Sequence, residues 1–120
     1  ACGVEVARAV EAAQILSETG VSARVVNMAT IKPIDTALLK RCAKETGAIV
    51  TAEDHNIYGG LGGAVAEALA QTKPCPIEFV GVRDTFGASG EPEELATAFG
   101  IDGRAIAEAA RKVIARKRKS

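Results

Sequence analysis

The chain has 120 residues, 48% hydrophobic, 25% charged and 3% aromatic, with 15 Lys and Arg against 15 Asp and Glu. That length fits one domain, residues 1–120, with a single core, and the apolar content excludes an intrinsically disordered chain. Six of the cations fall in residues 111–120, which hold no acid, so residues 1–110 carry a net charge of −6 that repels phosphate and argues against a nucleic-acid partner.

Two hydrophobic periods alternate along the chain. Val6, Val10, Ala13 and Leu16 recur at helical spacing, with Gly20 as the stop. Ala1-Cys2-Gly3 leads straight into this helix, as the end of a strand and its turn would. The chain is therefore read as starting inside its first strand, a piece of something longer. Residues 23–28 are short, apolar and β-branched, which predicts a strand, and Pro33 breaks it. Asp35 is placed to cap a second helix through Leu38, Leu39 and Cys42, ended by Gly47. Residues 48–52 predict a second strand, a Gly-rich turn follows, and residues 64–71 predict a third helix. A stiff connector, Lys73-Pro74-Cys75-Pro76, precedes a third strand over 77–82. Residues 83–91 read as a loop, and Pro92 opens a short helix that ends at Gly100. Asp102 is placed to cap the last helix, whose stripe is Ile106, Ala110, Val113 and Ile114. Its basic end is either an arm for nucleic acid or membrane or, more plainly, a solvated end that complements the helix dipole.

Strands separated by helices pair in parallel, since a crossover of this length makes no hairpin. Near-continuous apolar strands belong to a sheet covered on both faces. The expected fold is α/β, a three-layer α/β/α domain. No run reaches the ~18 apolar residues of a membrane span. The first five residues have neither the basic nor the apolar region of a secretory signal. Cys2, Cys42 and Cys75 are odd in number and widely spaced, and one His cannot complete a zinc site with them. They read as small buried or half-buried thiols of a reducing compartment, which favours the cytoplasm.

In open parallel sheets, ligands gather beyond the carboxyl ends of the strands. Three segments fall there: residues 30–35, 53–63 and 83–90. The second holds two acids, the only His, the only Tyr and four glycines. Such a turn exposes N–H groups at a helix start, where an anion can sit; more plainly, it allows a tight turn and close helix–strand packing. The dinucleotide fingerprint fails, because Val65 stands at the third glycine position, and no Gly-Lys-Ser/Thr of a P-loop follows. Glu53, Asp54 and His55 could act as acid and base, but no Ser or Cys nucleophile has a matching motif. Successive strand residues also point to opposite faces. His55 is read as a hydrogen-bonded structural or interface residue, and Arg83 and Asp84 as a loop network or partner contact. The candidates for an anion site or a domain or subunit interface are thus Glu53, His55, Gly59, Gly60, Gly62, Arg83, Asp84 and Phe86. No catalytic or metal-binding residue is assigned.

Four motifs then carry a resemblance. Residues 24–36, with Ile31-Lys32-Pro33-Ile34-Asp35, resemble a segment of the transketolase C-terminal domain. Glu53-Asp54-His55 followed by Gly59-Gly60-Leu61-Gly62-Gly63 resembles that family's E-x-H and GGLG element. Residues 81–90, with Asp84, Phe86, Ser89 and Gly90, followed by Glu94-Leu95, are similar to its G-x-x-D-x-F-x-x-S-G element. Residues 100–106 match its closing helix start. The wording is nearest to split transketolases, whose C-terminal half is a separate subunit. The resemblance implies a mixed five-stranded sheet with one antiparallel strand, expected to be the truncated one before Cys2. It also implies an enzyme with a diphosphate-binding and a pyrimidine-binding domain, which hold thiamine diphosphate and Mg2+ between them. Such an enzyme moves two-carbon ketol units between sugar phosphates, as in the pentose phosphate pathway. The C-terminal domain helps hold the homodimer or heterotetramer together, binds no cofactor itself and is inactive alone. The alternatives are the same domain of 1-deoxyxylulose-5-phosphate synthase or of a 2-oxo-acid dehydrogenase beta subunit, or a non-enzymatic anion-binding or regulatory module.

Overall fold

A computed structural model describes residues 1–28, 34–56, 60–82 and 101–119. The elements run α1 (Glu5–Ser17), α2 (Thr36–Thr46), β1 (Ile49–Asn56), α3 (Leu61–Ala70), β2 (Ile77–Val82) and α4 (Gly103–Lys119). The loop expected over 83–91 and the short helix expected after Pro92 lie outside the described residues.

Local chemistry sets most of the ends. The Asp35 carboxylate accepts the Leu38 N–H at 3.0 Å, capping α2. Gly47 closes that helix at φ +76°, donating its N–H to the Ala43 carbonyl at 2.8 Å; the left-handed conformation suits a residue without a Cβ. Asp102 accepts the Ala105 N–H at 2.9 Å at the start of α4. In contrast, α3 begins at Leu61 and takes in Gly62 and Gly63, which composition alone assigns to the turn.

β1 and β2 pair in parallel, with Ile49 opposite Ile77 and Val50 opposite Glu78. The period-two alternation of a strand sorts their side chains. Ala52 and Val80 join Ala12 and Leu16 of α1 and Ile106, Ala107 and Ala109 of α4 in one core. Ile49 and Ile77 pack against the other, built from Leu39 and Ala43 of α2 and Leu61, Val65 and Leu69 of α3. Two helices thus cover each face, giving the expected three layers.

Two expectations need correction. First, α1 buries Glu5, Arg8, Ala12 and Leu16, so of the expected stripe only Leu16 is in the core, while Val6 and Ala13 are half-buried and Val10 is 46% exposed. Small alanines surround this helix, so apolar spacing fixes its rotation weakly, and close packing on α4 decides. There, a Cβ at Gly103 would meet Glu11 Cδ at 2.8 Å.

Second, residues 23–28 form no assigned strand. They share one round of ladder with the first residue: Ala1 donates from its nitrogen to the Val26 carbonyl at 3.0 Å, and the Met28 N–H donates to the Ala1 carbonyl at 2.8 Å. Bonding to two residues that flank Asn27 is the parallel pattern; an antiparallel pair would exchange both bonds with one residue. On its other side, Cys2 donates to the Ala52 carbonyl at 3.4 Å. Ala1 and Cys2 therefore lie between residues 26–28 and β1, parallel to Asn27 rather than antiparallel as expected.

The basic end of α4 is exposed, as the plainer reading expects, and two of its cations also reach neighbouring elements. Arg116 donates to the Ile77 carbonyl at 2.8 Å and pairs with Glu78, and Lys117 Nζ donates to the Thr46 carbonyl at 2.6 Å. The last carbonyls of α2 carry the negative end of its dipole, which suits an ammonium there.

Candidate functional site

The carboxyl ends of the strands bring Glu53 and the start of α3 together. Glu53 is an odd-numbered residue of β1, on the same face as Ile49 and under α3. It is 1% exposed. One carboxylate oxygen accepts the Leu61 N–H at 2.9 Å and the other accepts the Gly62 N–H at 2.8 Å. These are first-turn N–H groups with no partner inside their own helix. Gly60, the residue before them, has no side chain with which to cap. A buried carboxylate from the neighbouring strand therefore does the work of a capping side chain, and the positive end of the helix dipole stabilises its charge.

This contact explains the two candidate glycines, Gly60 and Gly62, that fall within the described residues. Gly60 leads the chain from the turn into α3. Gly62 lets the helix lie on the sheet: a Cβ there would come 2.6 Å from Phe79 Cδ1 and 3.1 Å from Thr51 Oγ1. The Thr51 hydroxyl is itself buried in this contact and has no hydrogen-bond partner among the described residues. Of the two readings of the Gly-rich turn, close helix–strand packing is the one the geometry displays. An external anion at Leu61 and Gly62 would have to displace a carboxylate that already uses both N–H groups.

A second buried pair was not legible from motifs. Glu5 is fully buried, Arg8 is 9% exposed, and the two form an ion pair one turn apart in α1. The signal was an acid and a base at i, i+3 in the first turn after a strand-like start.

Among the remaining candidates, His55 lies on β1, while Gly59, Arg83, Asp84 and Phe86 lie outside the described residues. Cys42 is buried, Cys2 and Cys75 are half-buried, and none of the three is in a disulfide. Burial raises the pKa of Cys75, with nearby Lys73 opposing it. Among the described residues no group of three His, Cys, Asp or Glu side chains is placed to hold a metal ion, and no helix is long and apolar enough to cross a membrane.

The comparisons with known proteins agree with this fold. The family model for the transketolase C-terminal domain matches residues 1–106. The 6-deoxy-6-sulfo-D-fructose transketolase subunit SqwH of Clostridium sp. (strain MSTE9) is 44% identical over 117 residues, 98% of this chain and 36% of the relative. A putative transketolase C-terminal section from Methanocaldococcus jannaschii is 48% identical over 109 residues, 90% of this chain and 34% of the relative. A solved split-gene transketolase, an inactive beta4 tetramer, superposes with a TM-score of 0.93 at 46% identity, over 97% of this chain and 38% of that one. The chain therefore spans about a third of the length of the curated relatives it matches.

Proposed function

Because the chain belongs to the transketolase C-terminal domain family, we propose that it is the C-terminal assembly part of a thiamine-diphosphate-dependent transferase that moves two-carbon ketol units between sugar phosphates. The observation that carries this reading is the Glu53 contact. The one helix start that the sequence offers to an anion is filled by the chain's own carboxylate. The described residues therefore do not fit thiamine diphosphate or its metal: the N–H groups that could take a phosphate are used, and no ligand cluster is present among them. The chemistry belongs to the rest of a protein about three times as long, in the diphosphate-binding and pyrimidine-binding domains or subunits.

What this chain contributes is shape and contact surface. Glu53 fixes the start of α3, and the Glu5–Arg8 pair fixes the start of α1. Both act at the carboxyl ends of the strands, where partner domains would dock. A homodimer or heterotetramer working in the cytoplasm is the assembly this reading favours. The ketol donor is read as set in the other domains, since relatives of similar identity differ in name and one is named for a sulfonated sugar.

The test is a calorimetric titration of the 120-residue chain with thiamine diphosphate plus Mg2+, and separately with xylulose 5-phosphate. No binding heat at millimolar ligand is expected. A saturable isotherm near one equivalent for either ligand would overturn the reading.

A further inference from the structure

The outer side of the α1–α4 layer carries two rows of opposite charge. Glu11 of α1 and Glu18, its cap residue, stand seven residues apart. Arg104, Arg111 and Arg118 of α4 repeat at the same spacing. Seven residues make nearly two turns at about 3.6 per turn, so each row keeps to one face of its helix. All five side chains are exposed, and among the described residues none of them makes an ion pair.

The packing sets both rows beside the seam between the two helices. The Glu11 carboxyl lies 2.8 Å from where a Cβ on Gly103 would stand, so it borders α4 at the level of its first turn. On α4, Gly103 and Ala107 are buried, and the arginine row follows them round the helix toward solvent. The helices also run the same way. Cys2, running parallel to β1, reaches Ala52 before α1 begins, so α1 starts from the carboxyl side of the sheet. α4 ends on the amino side, where Arg116 meets Ile77, the first residue of β2. With Glu11 beside Gly103, Glu18 is level with about residues 110–111.

A two-fold interface needs a surface complementary to itself. An axis along the seam, parallel to both helices, sets α1 of each copy on α4 of the other and preserves height. Glu11 then meets the second copy's Arg104, Glu18 meets the second copy's Arg111, and symmetry makes each pair twice. Val10, 46% exposed next to Glu11, adds apolar area. Glu108, the acid on this face of α4, comes near the level of Gln14, whose amide can donate to it.

We propose that this face joins two copies of the chain, α1 on α4 in both directions. The complementarity favours a second copy over an unrelated partner, because both rows, with one spacing and matching heights, belong to the same face. Exposed ion pairs contribute little each, so the association is weak and depends on salt. This deepens the assembly role proposed above and does not depend on which reaction the enzyme performs.

Charge reversal tests both surface and register. Glu18→Arg sets arginine against Arg111 twice in a dimer, and Arg111→Glu sets glutamate against Glu18 twice. Each variant alone is expected to lose association by at least about tenfold, since like charges then face each other. An equimolar mixture of the two restores it, because both contacts of a mixed pair join opposite charges. Analytical ultracentrifugation at about 100 μM chain and low salt reads the mass, and raising NaCl to about 0.5 M should weaken the parent dimer by a similar factor. Circular dichroism checks that both variants fold, as substitutions at exposed, unpaired positions should. A parent chain that stays monomeric would overturn the proposal. So would variants that dimerise as the parent does, which would move the contact to another surface. A mixture that stays monomeric would overturn it too, since the register would be wrong. The calorimetric test of the proposed function reads ligand binding, so either test can fail without the other.

Discussion

Replacing Glu53 by Gln keeps the shape of the side chain and removes its charge. The carboxylate accepts two N–H groups, at 2.9 and 2.8 Å, from a position 1% exposed. An amide has one oxygen, so one N–H keeps a neutral acceptor and the other faces an NH2. A hydrogen bond to a charged group contributes about 1.5–3 kcal/mol net, and a buried N–H left unpaired costs about 1–3 kcal/mol. Loss of the charge–dipole attraction adds about 1 kcal/mol. Relief from burying a carboxylate works in the opposite direction. The net expectation for Glu53→Gln is a loss of about 2–4 kcal/mol, a large share of the ~5–15 kcal/mol typical of a domain. Urea unfolding followed by far-ultraviolet circular dichroism reads the total, and amide exchange at Leu61 and Gly62 reads the place. Exchange at those two amides should accelerate more than at Val65, deeper in α3. A loss below about 0.5 kcal/mol, the size of an ordinary surface change, with unchanged exchange would refute the claim that Glu53 caps α3.

Gly62→Ala should destabilise by about 1–2 kcal/mol despite the better helix propensity of Ala, because the new Cβ meets Phe79 and Thr51; thermal melting checks it, and a neutral or stabilising result would contradict the close packing. Cys75 should react with iodoacetamide more slowly than a free thiol at neutral pH, since burial raises its pKa and lowers the thiolate fraction. Mass-spectrometric labelling rates over a pH series should show its reactivity rising later than that of a model thiol, and an earlier rise would contradict that environment.

The sequence showed most where one residue's chemistry decides a local outcome. Asp35, Gly47 and Asp102 all act at helix ends as their residue types dictate. The 77–82 strand and its parallel pairing follow from apolar runs separated by helices. Reasoning fell short where a distant partner decides. The rotation of α1 is set by α4 and not by its own stripe. The 23–28 segment has strand composition, but a ladder needs a neighbour, and among the described residues only Ala1 bonds to its backbone. At the candidate site, Glu53 and the glycines could be picked out, and close helix–strand packing was the favoured of two purposes that fitted them. Only the third dimension shows the carboxylate lying beneath the helix start. Glu5 and Arg8 escaped notice because an i, i+3 charge pair reads as a solvated face, and here it is buried.

The central claim is that this chain assembles an enzyme whose chemistry lies elsewhere. The direct measurement is ketol transfer from xylulose 5-phosphate to ribose 5-phosphate, with thiamine diphosphate and Mg2+ present. It is made on the 120-residue chain alone, on the other domains or subunits of the enzyme without it, and on all of them combined. The account predicts no turnover by this chain and restoration of turnover only when all parts are present. Turnover by the 120-residue chain alone, or full activity of the other parts without it, would contradict the account.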